Sequence, residues 1–127
     1  MENPAFHNEI LDVLMELGVN PSIKGFDYLM TGITLAYEKP EVFSRMTKDF
    51  YPSIAQKHDT TSSRVERAIR HAVETAFNNM PCSVQVKYFG NCVSSVSGKL
   101  TNSNFIAALV RYFEKSYPRN NGKGGRV

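Results

Sequence analysis

The apolar residues of this chain recur every three or four positions, in segments separated by polar turns that contain Gly or Pro. Such spacing is typical of amphipathic helices that bury one face. We predict a first helix over about 4–17, ended by Gly18, and a second over about 24–37. A last helix is predicted over about 101–117, where Pro118 stops it. The pattern indicates an all-α single domain of five to six helices.

Shorter segments lie in the middle and at the end of the chain. Pro40 suits the first turn of a short third helix. The apolar segment 84–89 fits a short helix or, because its apolar and polar residues alternate, a strand. Residues 91–100 are predicted to form a loop. The helical domain is thus expected over residues 1–117. Residues 118–127 are Gly-rich and basic, which predicts a flexible basic tail.

Residues 51–77 have the spacing of a helix-turn-helix, in which a short helix, a tight turn and a longer helix follow one another. Small Ala55 would let the two helices approach, and apolar Val65 would fix the angle between them. Asp59 stands in the turn, at a position that often holds Gly. Because Asp tolerates left-handed backbone better than most other residues, we expect the turn to form.

The second helix of this motif, over about 61–77, has an apolar stripe and a polar face. The stripe is formed by Val65, Ile69, Ala72 and Ala76. Opposite it, Glu66, Arg67 and Arg70 could read base edges in the major groove, since Arg forks onto guanine and Glu accepts from cytosine. The alternative is a solvated charged face stabilised by i,i+4 pairs such as Glu66 with Arg70.

The start of this helix offers several N-caps, namely Thr60, Thr61, Ser62 and Ser63. Ser63 and Glu66 also have the spacing of a capping box. A Glu66 side chain folded back onto the backbone would not reach a cytosine, and the sequence leaves both roles open.

Charge is distributed unevenly along the 127 residues, whose formal net charge is +3. Residues 1–50 contain eight acidic and four basic side chains, a net charge of −4. Residues 51–127 contain eleven basic and four acidic side chains, a net charge of +7. The positive half is the one that holds the predicted helix-turn-helix, as binding to a phosphate backbone requires.

Patterns of catalytic and metal-binding chemistry are missing from the sequence. His7, His58 and His71 form no HExxH-type site, and there is no Gly-rich phosphate loop or GxSxG elbow. We therefore expect no enzymatic activity, no cofactor and no metal. Without a membrane-spanning apolar run or a signal peptide, a cytoplasmic protein with no membrane partner is expected.

The two cysteines, Cys82 and Cys92, match no common zinc spacing. In a reducing compartment we expect them to be free thiols, small and at least half-buried, rather than a disulfide.

Three segments resemble, in the same order, the C-terminal DNA-binding domain of the sporulation transcription factors called stage zero sporulation protein A. Residues 61–73, TSSRVERAIRHAV, are close to TASRVERAIRHAI of that family. Residues 99–107, KLTNSNFIA, resemble KPTNSEFIA. Residues 17–28, LGVNPSIKGFDY, resemble IGVPAHIKGYLY. The resemblance implies a six-helix bundle, and it favours a helix over 84–89.

The resemblance also implies how the site works. The recognition helix would read a short box in double-stranded DNA, often present in tandem copies that a homodimer could occupy. The positions that match the family's segment are Ser63, Arg64, Glu66, Arg67 and Arg70. We expect Arg67 and Arg70 to contact base edges, with Glu66 as their specificity partner. Phosphate contacts are expected from Ser62, Ser63, Arg64 and Lys57. The family's segment after the recognition helix is linked to the RNA polymerase sigma factor, and residues 78–97 are where this chain diverges most.

The family joins this domain to an N-terminal receiver, for which residues 1–17 leave no room, so we expect an excised domain or a stand-alone relative. We predict a sequence-specific DNA-binding transcriptional regulator related to the control of sporulation initiation. The alternative is a stand-alone helical protein-interaction module, or a competitor, that keeps the fold without activating transcription.

Overall fold

Six α-helices occur in the computed structural model, which describes residues 3–92 and 100–118. They are α1 (Pro4–Glu16), α2 (Lys24–Glu38), α3 (Tyr51–Lys57), α4 (Ser62–Asn79), α5 (Cys82–Phe89) and α6 (Asn102–Ser116). These ranges contain no strand. The predicted all-α fold is confirmed, and the segment around 84–89 is a helix. The predicted tail from residue 119 onward, and most of the predicted loop at 91–100, lie outside the described residues.

The helices end where their local sequences predict. At the start of α1, Oδ1 of Asn3 accepts a hydrogen bond from the N–H of Ala5, 3.0 Å away. Gly18, just after this helix, has a φ of 90°, which a residue without a Cβ adopts at little cost. Thr101 is the N-cap of α6, and its hydroxyl accepts from the N–H of Asn104.

The predicted short third helix is instead two different segments. Pro40–Ser44 is a 3₁₀ helix, and Met46–Phe50 is a π-helix that leads directly into α3. Phe50 is fully buried against α2, where a Cβ added to Gly32 would lie 2.7 Å from its Cζ. Gly32 lowers the helix propensity of α2 by about 1 kcal/mol relative to Ala, but its missing side chain makes room for this ring.

Helix α2 lies at the centre of the domain and packs against α1, α3, α4 and α6. It lies close to α4 at Gly25, where an added Cβ would lie 2.5 Å from the carbonyl oxygen of Ala68. The backbone of α4 is therefore set directly on α2, without a side chain between them.

The beginning of α1 and the end of α6 are joined by an aromatic cluster. The Phe6 ring lies 4.6 Å from Tyr37 and 5.5 Å from Phe113, measured between centroids. The Tyr37 hydroxyl donates a hydrogen bond to the carbonyl of Tyr117, the C-cap of α6. This cluster closes the bundle at the end where the described chain begins and stops.

Candidate nucleic-acid interface

The turn between α3 and α4 has the hydrogen bonds of a Schellman motif. The N–H of Thr60 donates to the carbonyl of Ala55 at 2.9 Å, and the N–H of Asp59 donates to that of Gln56 at 3.4 Å. Asp59 has a φ of 56° and is the one non-Gly residue with positive φ among those described. The left-handed turn predicted at this Asp is confirmed, and with it the helix-turn-helix geometry.

The apolar stripe of α4 faces the core throughout. Its members are Val65, Ile69, Ala72 and Ala76, each exposed by 1% or less, and Val73 joins them. The stripe packs against α2, α3 and α6. This burial holds α4 in a fixed orientation and leaves its opposite face to solvent.

The N-terminus of α4 is capped by Thr61, whose hydroxyl accepts from the N–H of Arg64 at 3.2 Å. Ser62 and Ser63 are thus the first two residues of the helix, and their N–H groups donate to no described residue. Free N–H groups at a helix start attract anions, because the helix dipole adds positive potential there.

Glu66 is paired along the helix and does not cap it. Because α4 begins at Ser62, the capping-box position falls on Arg64, and the capping box considered for Ser63 and Glu66 is wrong. The Glu66 carboxylate instead accepts from Nε of Arg70 at 3.0 Å and from Nη2 at 3.3 Å. This is the i,i+4 pair expected if the polar face of α4 were only a solvated charged surface. The hydrogen bond from Arg70 to Glu66 raises the pKa of the Arg70 guanidinium.

A second helix, α6, holds the Glu66 edge of α4 in place. Nδ2 of Asn102, a nearly buried side chain, donates to the Glu66 carbonyl at 3.3 Å and to the Tyr51 hydroxyl at 3.1 Å. Burial raises the pKa of Tyr51, so its hydroxyl stays protonated. Sequence reasoning missed this junction, although Asn102 stands directly after the cap of α6. Nothing local in the sequence shows which helix its amide meets.

The remaining predicted contact residues lie in the open. Arg64 and Arg67 are exposed and form no ion pair with any described residue. At 3.6 residues per turn, Arg67 lies near the middle of the exposed face of α4, with Arg64 and Glu66 at its two edges. Lys57 is exposed in the last turn of α3, and Ser63 is exposed at the start of α4.

The cysteine prediction is wrong. Cys82 and Cys92 are both exposed, and they form a disulfide with their Cα atoms 5.2 Å apart. Sequence distance gave no indication of this pairing, because Gly90 turns the chain back toward the start of α5 with a φ of 89°.

The described ranges contain no group of three or more His, Cys, Asp or Glu side chains that could hold a metal ion. The helices described are all too short or too polar to cross a bilayer.

Fold and site together define a class of protein. A short helix, a left-handed turn and a core-anchored second helix with a polar, Arg-bearing outer face form a helix-turn-helix domain of the kind that binds DNA.

A family model confirms and narrows that class. Residues 10–113 match the model described as sporulation initiation factor Spo0A, C terminal, so this chain belongs to that family. The match includes every helix from α2 to α5, most of α1 and all but the last turn of α6. The family is one of helical DNA-binding domains of sporulation regulators and is not a family of enzymes.

Proposed function

We propose that this domain reads a specific sequence in double-stranded DNA through α4 and thereby regulates transcription. The observation that carries the proposal is the division of α4 into a fully buried stripe and an exposed face centred on Arg67, which pairs with no described residue. Rigid support on one side and unpaired donors on the other are what base recognition needs.

Base contacts are proposed for Arg67, Arg70 and Glu66. Within the described ranges the Arg67 guanidinium donates to no residue, which leaves its donors available for a guanine edge. Arg70 and Glu66 would act as one unit, because their ion pair fixes both side chains before DNA arrives. In that pair Arg70 keeps donors for a base, whereas the Glu66 oxygens already accept two hydrogen bonds.

Phosphate contacts are proposed for the beginning of α4 and the end of α3. The N–H groups of Ser62 and Ser63, which donate to no described residue, would bind one phosphate, as helix N-termini do. Arg64 and Lys57 would add charge on either side of it. These contacts position the helix and carry no sequence information.

The test is a titration of labelled duplex that carries the family's recognition box, repeated with a scrambled duplex over a series of salt concentrations. Specific reading predicts tighter binding to the box at every salt concentration, and a loss of affinity for both duplexes as salt rises. Equal affinity for the two duplexes would contradict the proposal.

The substitution Arg67→Ala tests the central base contact. We expect it to cost about 1–3 kcal/mol of binding free energy and to relax discrimination at one base pair. Arg111→Ala, on the exposed face of α6, is the matched control and should leave box affinity unchanged. A loss that is uniform over all sequences would reassign Arg67 to a phosphate.

The role in transcription follows from the same site. On tandem boxes we expect two copies of the domain to bind. The mass of the complex, measured on one-box and on two-box duplexes, tests this.

Activation would require contact with RNA polymerase sigma factor, for which we propose residues 78–97; the site of action would be the cytoplasm. If a promoter is bound but not activated in a transcription assay with purified polymerase, the domain is a competitor at such sites.

A further inference from the structure

The disulfide between Cys82 and Cys92 closes a short loop around α5. Cys82 is the first residue of the helix, and Cys92 lies two residues beyond Gly90, which ends it. We propose that this pair is a redox site that exchanges with small-molecule thiols and determines how firmly α5 is held. The proposal concerns a different helix from the DNA-reading one and does not depend on that function.

Access to the pair is open. Both cysteines are exposed, so a thiol from solvent can approach either sulfur. Burial is what keeps a structural disulfide inert, and it is absent here.

The position of Cys82 determines which of the two sulfur atoms an incoming thiolate should attack. Its sulfur lies at the N-terminus of an α-helix, where the dipole and free N–H groups stabilise a thiolate. Cys82 is therefore the better leaving group, and an incoming thiolate should attack Sγ of Cys92.

The reaction balances with two molecules of a monothiol as the reductant. The first thiolate forms a mixed disulfide with Cys92 and expels the Cys82 thiolate. A second thiolate then attacks the reagent sulfur of that mixed disulfide, which forms the reagent's own disulfide and releases the Cys92 thiolate. The protein disulfide gains two electrons from the two thiols, and two protons pass to the protein thiols as the pH dictates.

Helix α5 is the element this exchange would affect. It is eight residues long, and of its side chains only Gln85 and Tyr88 are buried. Phe89, partly buried, stacks on Phe105 of α6 with ring centroids 5.4 Å apart. A helix this short is unstable alone, so opening the loop should let α5 fray while α4 stays anchored.

Redox titration of the full chain is the first test. The protein is equilibrated in buffers of graded reduced and oxidised glutathione, quenched with acid, and its free thiols are counted by alkylation and mass spectrometry. We expect a reversible, intramolecular change between zero and two free thiols. A pair that stays oxidised in reduced glutathione alone, or that links two chains, would overturn the proposal.

Hydrogen exchange locates the effect. Reduction should raise amide exchange in α5 by roughly 10- to 100-fold, the scale expected for opening a ten-residue loop, with little change in α4. The double variant Cys82→Ser, Cys92→Ser should match the reduced protein and ignore the reductant. Equal exchange in oxidised and reduced α5 would refute control of this helix, whatever the result of the DNA titration.

Discussion

Helices α4 and α5 follow one another in the chain and are held in opposite ways. Helix α4 buries five apolar side chains against three other helices, and its first turn is capped by Thr61. Helix α5 buries only Gln85 and Tyr88 and has a covalent link between its beginning and the residues after its end. Helix α4 is thus fixed by the core, and α5 by a disulfide and a few edge contacts.

Because the core holds α4 and the disulfide holds α5, we expect different changes to the protein to affect the two helices. Anything that weakens the core should move α4 and unfold the domain with it, because its stripe is shared with α2 and α6. Changes at the disulfide or at the contact between α5 and α1 should loosen α5 alone. Three substitutions, two of them with a matched control variant, would break or sharpen this contrast.

The largest effect is expected for Ile69→Ala in the buried stripe of α4. Ile69 has no exposed surface, and removing its side chain should cost about 2–5 kcal/mol of unfolding free energy because a cavity remains. Denaturant titration measures the loss.

Val86→Ala in α5 is the matched control for that experiment. Val86 is 51% exposed, and its truncation should change the unfolding free energy by at most about 0.5 kcal/mol. Similar losses in the two variants would remove the distinction between core-held and edge-held helices.

A smaller effect is expected for Gly25→Ala, which would insert a methyl group between α2 and the backbone of α4. The new Cβ would clash with the Ala68 carbonyl, which cannot rotate away, so α4 must shift. We expect a loss of about 1–3 kcal/mol in stability, together with weaker binding to the DNA box.

Gly32→Ala, also in α2, is the control: it crowds the core without pushing on the backbone of α4. Its Cβ would press on the ring of Phe50 and the tip of Ile54, both side chains that can adjust. This variant should keep full box affinity in the duplex titration. If both variants bind DNA normally, the position of α4 does not depend on the contact at Gly25.

The smallest effect is expected at the contact between α1 and α5. The Glu16 carboxylate accepts from the Tyr88 hydroxyl at 2.5 Å and from Lys87 Nζ at 3.1 Å. These hydrogen bonds lower the pKa of Glu16 below its ordinary value of 4.5, and the bond from Tyr88 has the largest effect. Glu16→Gln should cost about 0.2–1 kcal/mol at neutral pH, the range of exposed ion pairs.

The pH dependence of that difference has a definite sign. Because the folded-state pKa of Glu16 is lowered, its contribution to stability is complete above the unfolded pKa and declines as pH falls through the folded value. The gap between wild type and Glu16→Gln should therefore begin to narrow below about pH 4.5 and close once the pH is below the lowered folded-state pKa. Unfolding curves recorded from neutral to acid pH measure this, and a constant gap would assign the loss to packing.

Most of the fold was predictable from local sequence. The period of the apolar residues placed α1, α2, α4 and α6 to within about two residues, since core burial imposes that period. The segment at 40–50 was not predictable as a 3₁₀ and a π-helix, and its sequence also did not show that Phe50 packs against Gly32 of α2.

What the sequence by itself determined is the stripe of α4, the left-handed turn at Asp59 and the set of polar residues opposite the stripe. Each follows from the backbone preferences of a few neighbouring residues. The folded structure was needed to show that Glu66 forms the i,i+4 pair with Arg70 that the sequence offered as an alternative, that Asn102 bonds to α4 and that Cys82 meets Cys92. These outcomes depend on where each helix starts and what lies beside it, which no single segment encodes.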